Sequence, residues 1–211
     1  MMHRVRRWFV FLMMLAVIAG AMWLWWEVDL RGDPHTIKKD QAALAAALQR
    51  AGWVSPHING KIVYVLVTGE CPACEKFETG PLEALETRGV DTRIIVVAPP
   101  DKDGKAMSTA ADRAAVAEFW INRDWSLYKR WREPSPTTMA GIAPADGDAA
   151  RTAVVQAAQA SAATIQDALK RNGVARGYPV AIWWNKAGDM RASLVDNGAA
   201  ARKAEREVES G

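Results

Sequence analysis

Residues 60–78 read GKIVYVLVTGECPACEKFE. The first half is an apolar, β-branched run bounded by Gly60 and Gly69, the pattern of a buried strand. The second half contains both cysteines of the chain, Cys71 and Cys74, with Pro72 and Ala73 between them. It opens a helical stretch that ends near Gly89, with a kink expected around Gly80 and Pro81. A second apolar run, TRIIVVAPP at 92–100, follows. Strand, CxxC, helix, strand is a βαβ unit, so the two strands are expected to be parallel and joined by a right-handed crossover.

Three uses of the cysteine pair can be weighed from the residues around it. Structural zinc wants four Cys or His ligands. The histidines are His3 before a long apolar run, His35 in a polar stretch and His57 in a loop, so no metal site is expected. As a structural staple, a bridge closing so short a loop would add little, since the stabilisation grows with loop length. Redox chemistry explains the placement better. A cysteine just ahead of a helix has its sulfur near unpaired backbone N–H groups and the positive end of the helix dipole, which favour thiolate over thiol. Pro72 suits the first helical position, where its missing N–H is not needed. Cys71 is then the exposed nucleophile and Cys74, one turn further in, the thiol that resolves a mixed disulfide. Glu70, Glu75 and Glu78 should oppose thiolate formation, Lys76 should favour it, and Ala73 contributes no charge. This chemistry calls for no cofactor.

Outward from this unit, the chain has 211 residues, 27 basic and 24 acidic, for a formal charge of +3. The excess lies in Arg4, Arg6 and Arg7, so no nucleic-acid-binding field is expected, and Lys129 to Arg132 read as a solvated helix face. The run WFVFLMMLAVIAGAMWLWW at 8–26 carries no charge and has about the length a bilayer-spanning helix needs. Arginines precede it and Glu27 and Asp29 follow it, so the positive-inside rule sends the remainder across the membrane. Trp8 at one end and Trp23, Trp25 and Trp26 at the other fit interfacial aromatic belts. The rival reading is a cleaved signal peptide, with Ala19-Gly20-Ala21 as the small-residue site; a retained anchor is favoured because cleavage there leaves an exposed MWLWW. Either reading exports the domain to a compartment where a disulfide persists.

The expected organisation is an anchor at 1–26, a tether and helix at 27–59, and a domain at 60–211 with a helical insertion at 101–172. Thr36 is expected to cap the helix that Gly52 stops. Within the insertion, TAADRAAVAEFWINRDWSLYKRWRE reads as helical, with Trp120, Trp125 and Trp131 as its core; a Pro-rich break and a long Ala-rich helix ending at Asn172-Gly173 follow. The segment YPVAIWWNKAGDMRASL then reads as two strands joined by a turn over Asn185 to Asp189, with Trp183 and Trp184 on opposite faces. A short charged helix closes the chain.

With VYVLVTGECPAC and LKRNGVARGYPVAIWW in view, the sequence over roughly 60–196 resembles the thioredoxin-fold thiol-disulfide oxidoreductases, and within them the bacterial periplasmic Dsb-type proteins. The insertion looks most like that of the disulfide isomerase catalytic domains. The resemblance implies an α/β thioredoxin-like fold with a helical insertion, here preceded by one N-terminal transmembrane helix. It implies that Pro179 is a cis-proline beside the dithiol and that the backbone of Tyr178 pairs with a substrate strand. It also implies exported protein substrates carrying thiols or disulfides, a membrane redox partner, and a single-pass location in the bacterial inner membrane with the domain in the periplasm. The chain departs from the pattern at Val65, where thioredoxin carries a buried acid, and at Tyr178, which is bulkier than the usual residue before the cis-proline; residues 27–59 are too short for the isomerases' dimerisation domain. A different class, a non-catalytic binding or assembly module of an envelope complex, keeps the same fold without using the dithiol. A peroxidase is disfavoured because Cys74 is placed for dithiol exchange.

Overall fold

The computed structural model describes residues 2–25, 33–103, 105, 107–133 and 139–210. Helix α1 spans Met2–Trp25. The anchor expected at 8–26 falls partly on residues 9–11 and 24–26, which lie outside the side chains described, and among the described residues no helix is long and apolar enough to cross a membrane. Residues 27–32 of the expected tether and 134–138 of the Pro-rich break also lie outside the described residues.

The remaining elements, in chain order, are β1 (His35–Thr36), α2 (Gln41–Arg50), β2 (Ile62–Val67), α3 (Pro72–Phe77), α4 (Glu83–Thr87), β3 (Asp91–Val96), α5 (Ala110–Asn122), α6 (Trp125–Arg132), α7 (Ala149–Arg171), β4 (Val180–Trp184), β5 (Met190–Leu194) and α8 (Gly198–Ser210). The five strands form one sheet in the order β1-β5-β4-β2-β3. Strand β2 runs parallel to β3, with Ile62 opposite Asp91 and Val67 opposite Val96, as the βαβ reading requires. The β4–β5 hairpin joins antiparallel to β2, with Leu66 opposite Val180. This is an α/β thioredoxin-like fold whose helical insertion, α5 to α7, enters between β3 and β4.

Strand alternation divides the core. Val63, Val65 and Val67 face α3, α5, α6 and α8 on one side, while Tyr64 and Leu66 face α2 and α7 on the other. Both faces are covered, which is why β2 reads as continuous apolar sequence and not as an alternation. Trp183 is fully buried and its neighbour Trp184 is 38% exposed, on opposite faces as a strand demands. Trp120 lies against both core clusters and donates its indole N–H to the Val96 carbonyl at 2.9 Å. Trp131 is buried in the same core as Phe119 and Tyr128, and Trp125 stacks on Tyr128.

Three local expectations are corrected. Thr36 does not cap α2. It belongs to β1, which pairs antiparallel with β5, and Asp40 takes the capping position with φ 59° and no side-chain capping bond, its carboxylate pairing instead with Arg171 at 2.6 Å. The helix read through residues 109–133 breaks at Arg123, whose φ is 54°; Asp124 then restarts it by accepting the Leu127 N–H at 3.0 Å. Lys129 to Arg132 is only partly a solvated face, because Arg132 turns inward. The kink expected near Gly80-Pro81 is present as a π-helical turn, Glu78–Leu82, between α3 and α4.

Candidate active site around Cys71 and Cys74

Strand β2 ends at Val67, and buried Thr68, Gly69 and Glu70 carry the chain to Cys71. Cys71 is extended (φ −138°, ψ 98°) and caps α3: its Sγ accepts the Cys74 N–H at 3.1 Å and its carbonyl accepts the Glu75 N–H at 3.1 Å. Pro72 takes the first helical position. The two cysteines are joined in a disulfide with Cα atoms 5.2 Å apart. Cys74 is wholly buried beside Phe77, whereas Cys71 is half-buried at the surface. Such a pair offers one sulfur to an incoming group and withholds the other.

Across from Cys71 sits the loop before β4. The Tyr178–Pro179 peptide bond is cis. Sγ of Cys71 lies 3.7 Å from the Tyr178 carbonyl oxygen, a contact without a hydrogen while the sulfur is in the disulfide. The loop is held by Val195 N–H donating to the Pro179 carbonyl at 2.8 Å and by Gln166 Nε2 donating to the Gly177 carbonyl at 3.1 Å. The Tyr178 side chain packs against both core clusters, and burial raises its phenol above the ordinary value. Cys71, Cys74, Tyr178 and Pro179, singled out from sequence positions more than a hundred residues apart, therefore meet in one place. Pro72 and Glu70 are exposed beside Cys71, and Ala73 is half-buried between the cysteines. Val65 lies fully buried in β2.

A second set of residues reaches the site from the insertion. Glu78 lies one helical turn beyond Cys74, and instead of facing solvent it is buried. Its carboxylate accepts the Tyr128 hydroxyl at 2.5 Å and pairs with the Arg132 guanidinium, both from α6. Burial raises the Glu78 carboxyl above its usual range, against the pull of Arg132 and the Tyr128 bond. Burial likewise pushes the Tyr128 hydroxyl well up, with the Glu78 charge adding to it. Arg132 Nη1 also donates to the Gly69 carbonyl at 3.2 Å. Arg132, Trp131, Gly69, Glu70, Cys71, Pro72 and Glu75 line a shallow cleft of about 410 Å³. The one signal for this group in the sequence is an acidic residue four positions after Cys74, on the helix face that Cys74 buries.

No protein-family model matches the chain, and no curated protein sequence matches it. Solved structures do. A periplasmic thioredoxin-like protein from Salmonella enterica serovar Typhimurium is 16% identical with a TM-score of 0.48, over 82% of this chain and 100% of that one. BcfH from Salmonella enterica Typhimurium is 16% identical with a TM-score of 0.47, over 94% and 89%. The catalytic domain of Proteus mirabilis ScsC is 15% identical with a TM-score of 0.44, over 80% and 96%.

Proposed function

We propose that the chain is a membrane-tethered thiol-disulfide oxidoreductase acting on exported proteins through Cys71 and Cys74. The observation that carries this reading is the half-exposed Cys71 sulfur, bonded to a fully buried Cys74 at a helix start and facing the Tyr178 carbonyl. Oxidation of a substrate runs as follows. A substrate thiolate attacks Sγ of Cys71, the Cys71–Cys74 bond breaks, and Cys74 leaves as a thiolate that takes up a proton. A second substrate thiolate then attacks the substrate sulfur of the mixed disulfide, expelling Cys71 as a thiolate. Two electrons have passed to the protein and the substrate carries a new disulfide. Run backwards, Cys71 attacks a substrate disulfide and Cys74 resolves the intermediate. The N–H of Cys74, aimed at Sγ of Cys71, supports the thiolate in either direction. Pro72 leaves the first turn undisturbed, Ala73 adds no charge, and Glu70 opposes the thiolate. Tyr178 and Pro179 offer backbone to an extended substrate strand. A membrane redox partner resets the dithiol.

Tethering in the bacterial inner membrane, with the domain in the periplasm, is supported by the arginines before the apolar run and the acids after it. The exposed Trp8, Leu12, Leu15, Val17, Ile18 and Trp23 on α1 also support it. The test is the equilibrium potential of the full chain, solubilised in detergent, against glutathione, with Cys71 alkylation followed against pH after reduction. A two-electron couple and a thiol titrating below the free-cysteine value of about 8.5 are expected. A pair that does not exchange with glutathione overturns the reading in favour of a docking module.

A further inference from the structure

We propose that Arg132 is a positioning residue that ties the insertion to the dithiol, holding the Gly69–Cys71 segment from α6 and placing a guanidinium beside the reduced sulfur of Cys71. The inference rests on the redox reading above. Its ground is a shared acceptor: the Gly69 carbonyl receives both the Cys71 N–H at 3.1 Å and Arg132 Nη1 at 3.2 Å. Arg132 is thus one carbonyl away from the backbone that aims Cys71, and its side chain lines the same cleft as Cys71. The fork is fixed at its other end by Glu78, whose remaining oxygen is held by Tyr128. Planar, multidentate donation of this kind suits arginine and not lysine.

The insertion also presses on the same segment through packing. A Cβ on Gly69 would overlap Oδ1 of Asp112, at the start of α5, and come 3.4 Å from Cζ2 of Trp131. Any larger residue there must displace the Asp112 carboxylate, which closes the capping box of α5. The charged residues lining the cleft with Cys71 are Glu70 and Glu75 on its own segment and Arg132 from α6; Asp112 lies against Gly69, Lys76 is exposed further along α3, and the loop before β4 presents the neutral Tyr178 carbonyl. Arg132 is the cation of the cleft lining, and Glu78 moderates its charge from the side away from it.

The test uses the full chain in detergent, reduced, with Cys71 alkylation followed against pH and the potential measured against glutathione. Arg132→Met should move the alkylation midpoint up by about half to one pH unit, a discounted value for a partly exposed charge pair. The potential should fall in step, by about 30 mV for each tenfold change in the equilibrium constant. Glu78→Gln, which leaves Arg132 unneutralised, should move both in the opposite direction. Arg132→Lys should restore part of the midpoint. Opposed shifts cannot come from a general loosening of the fold. If Arg132→Met does not fold, the double variant Glu78→Gln/Arg132→Met, which buries no unpaired charge, decides against Glu78→Gln: a higher midpoint in the double variant supports the proposal and an equal one overturns it. A wild-type pair that does not exchange overturns the redox reading itself, whereas an active wild type with unmoved variants overturns this inference only.

Discussion

Glu78 holds a carboxyl group in the core one turn from a sulfur, and that has a thermodynamic sign. Its folded-state pKa lies above the ordinary 4.5, so between those values the folded chain binds more protons than the unfolded one. Stability contributed by this group is fully present at low pH and is lost as pH rises through the window. Thermal unfolding of wild type and Glu78→Gln from pH 4.5 upward should show the wild type losing ground to the variant as pH increases; a constant or growing wild-type advantage contradicts the burial assignment. At Gly69 the expectation is steric: Gly69→Ala should destabilise the chain by about 1–2 kcal/mol, read from denaturant titration, because a methyl group there must displace the Asp112 carboxylate that closes the α5 capping box. At the sulfurs, Cys74→Ser leaves Cys71 without its resolving partner, so mixed disulfides with cellular proteins should accumulate on non-reducing gels, while Cys71→Ser should trap none. Cys71 and Cys74 could be picked out because a CxxC after a strand and at a helix start is a distinctive pattern, whereas Tyr178 and Pro179 came only from the resemblance of their segment to a cis-proline loop. The Glu78–Tyr128–Arg132 group was not legible. Glu78 lies about fifty residues before the other two, and an acid and an arginine look like surface residues until the folded chain supplies each with the other.

Among the elements, the insertion helices are set by their starts. Asp148 accepts the Ala150 and Arg151 N–H groups at 2.9 and 3.1 Å, and Thr109 and Asp112 form a reciprocal capping box on α5. Asp148→Ala should cost about 1 kcal/mol, seen as a fall of about 2–4 °C in the melting temperature of a chain this size. Asp40, in contrast, makes no capping bond, sits at positive φ and offers only an exposed ion pair with Arg171, so Asp40→Gly should change the melting temperature by less than about 2 °C in either direction. This contrast explains what was misread from sequence. Helical spacing of aromatics continues across Arg123 and hides the break, although Asp124 is a good cap. A two-residue strand such as β1 has no periodicity to detect, and only pairing with β5 defines it.

Across the whole molecule, the β2–α3–α4–β3 unit and the β4–β5 hairpin were readable because a sheet covered on both faces needs unbroken apolar strands. How the N-terminal segment joins that sheet was not, because it depends on single polar contacts from the far end of the chain. Arg191 in β5 donates to the Pro34 carbonyl at 3.0 Å, bonds Thr36 Oγ1, and pairs with Glu207 of α8 at 2.6 Å. Lys203 of α8 pairs with Asp33 at 2.7 Å. Arg191→Met should therefore raise amide hydrogen exchange in both 33–37 and 198–210; exchange confined to one of them would show that the two ends are not coupled.

That clamp fixes where the chain leaves the sheet, and so how far a thiol can travel. Residues 26–32 span at most about 25 Å when fully extended. Strand β1 is three neighbour steps from β2, about 14 Å across the sheet. Cys71 lies beyond the far end of β2, so for a chain anchored as proposed it stays within about 50 Å of the anchor, equivalent to an effective concentration of several mM toward any membrane-held partner. On such a short leash, encounter with that partner is close to intramolecular, while a protein folding farther from the bilayer must diffuse to the membrane to be served.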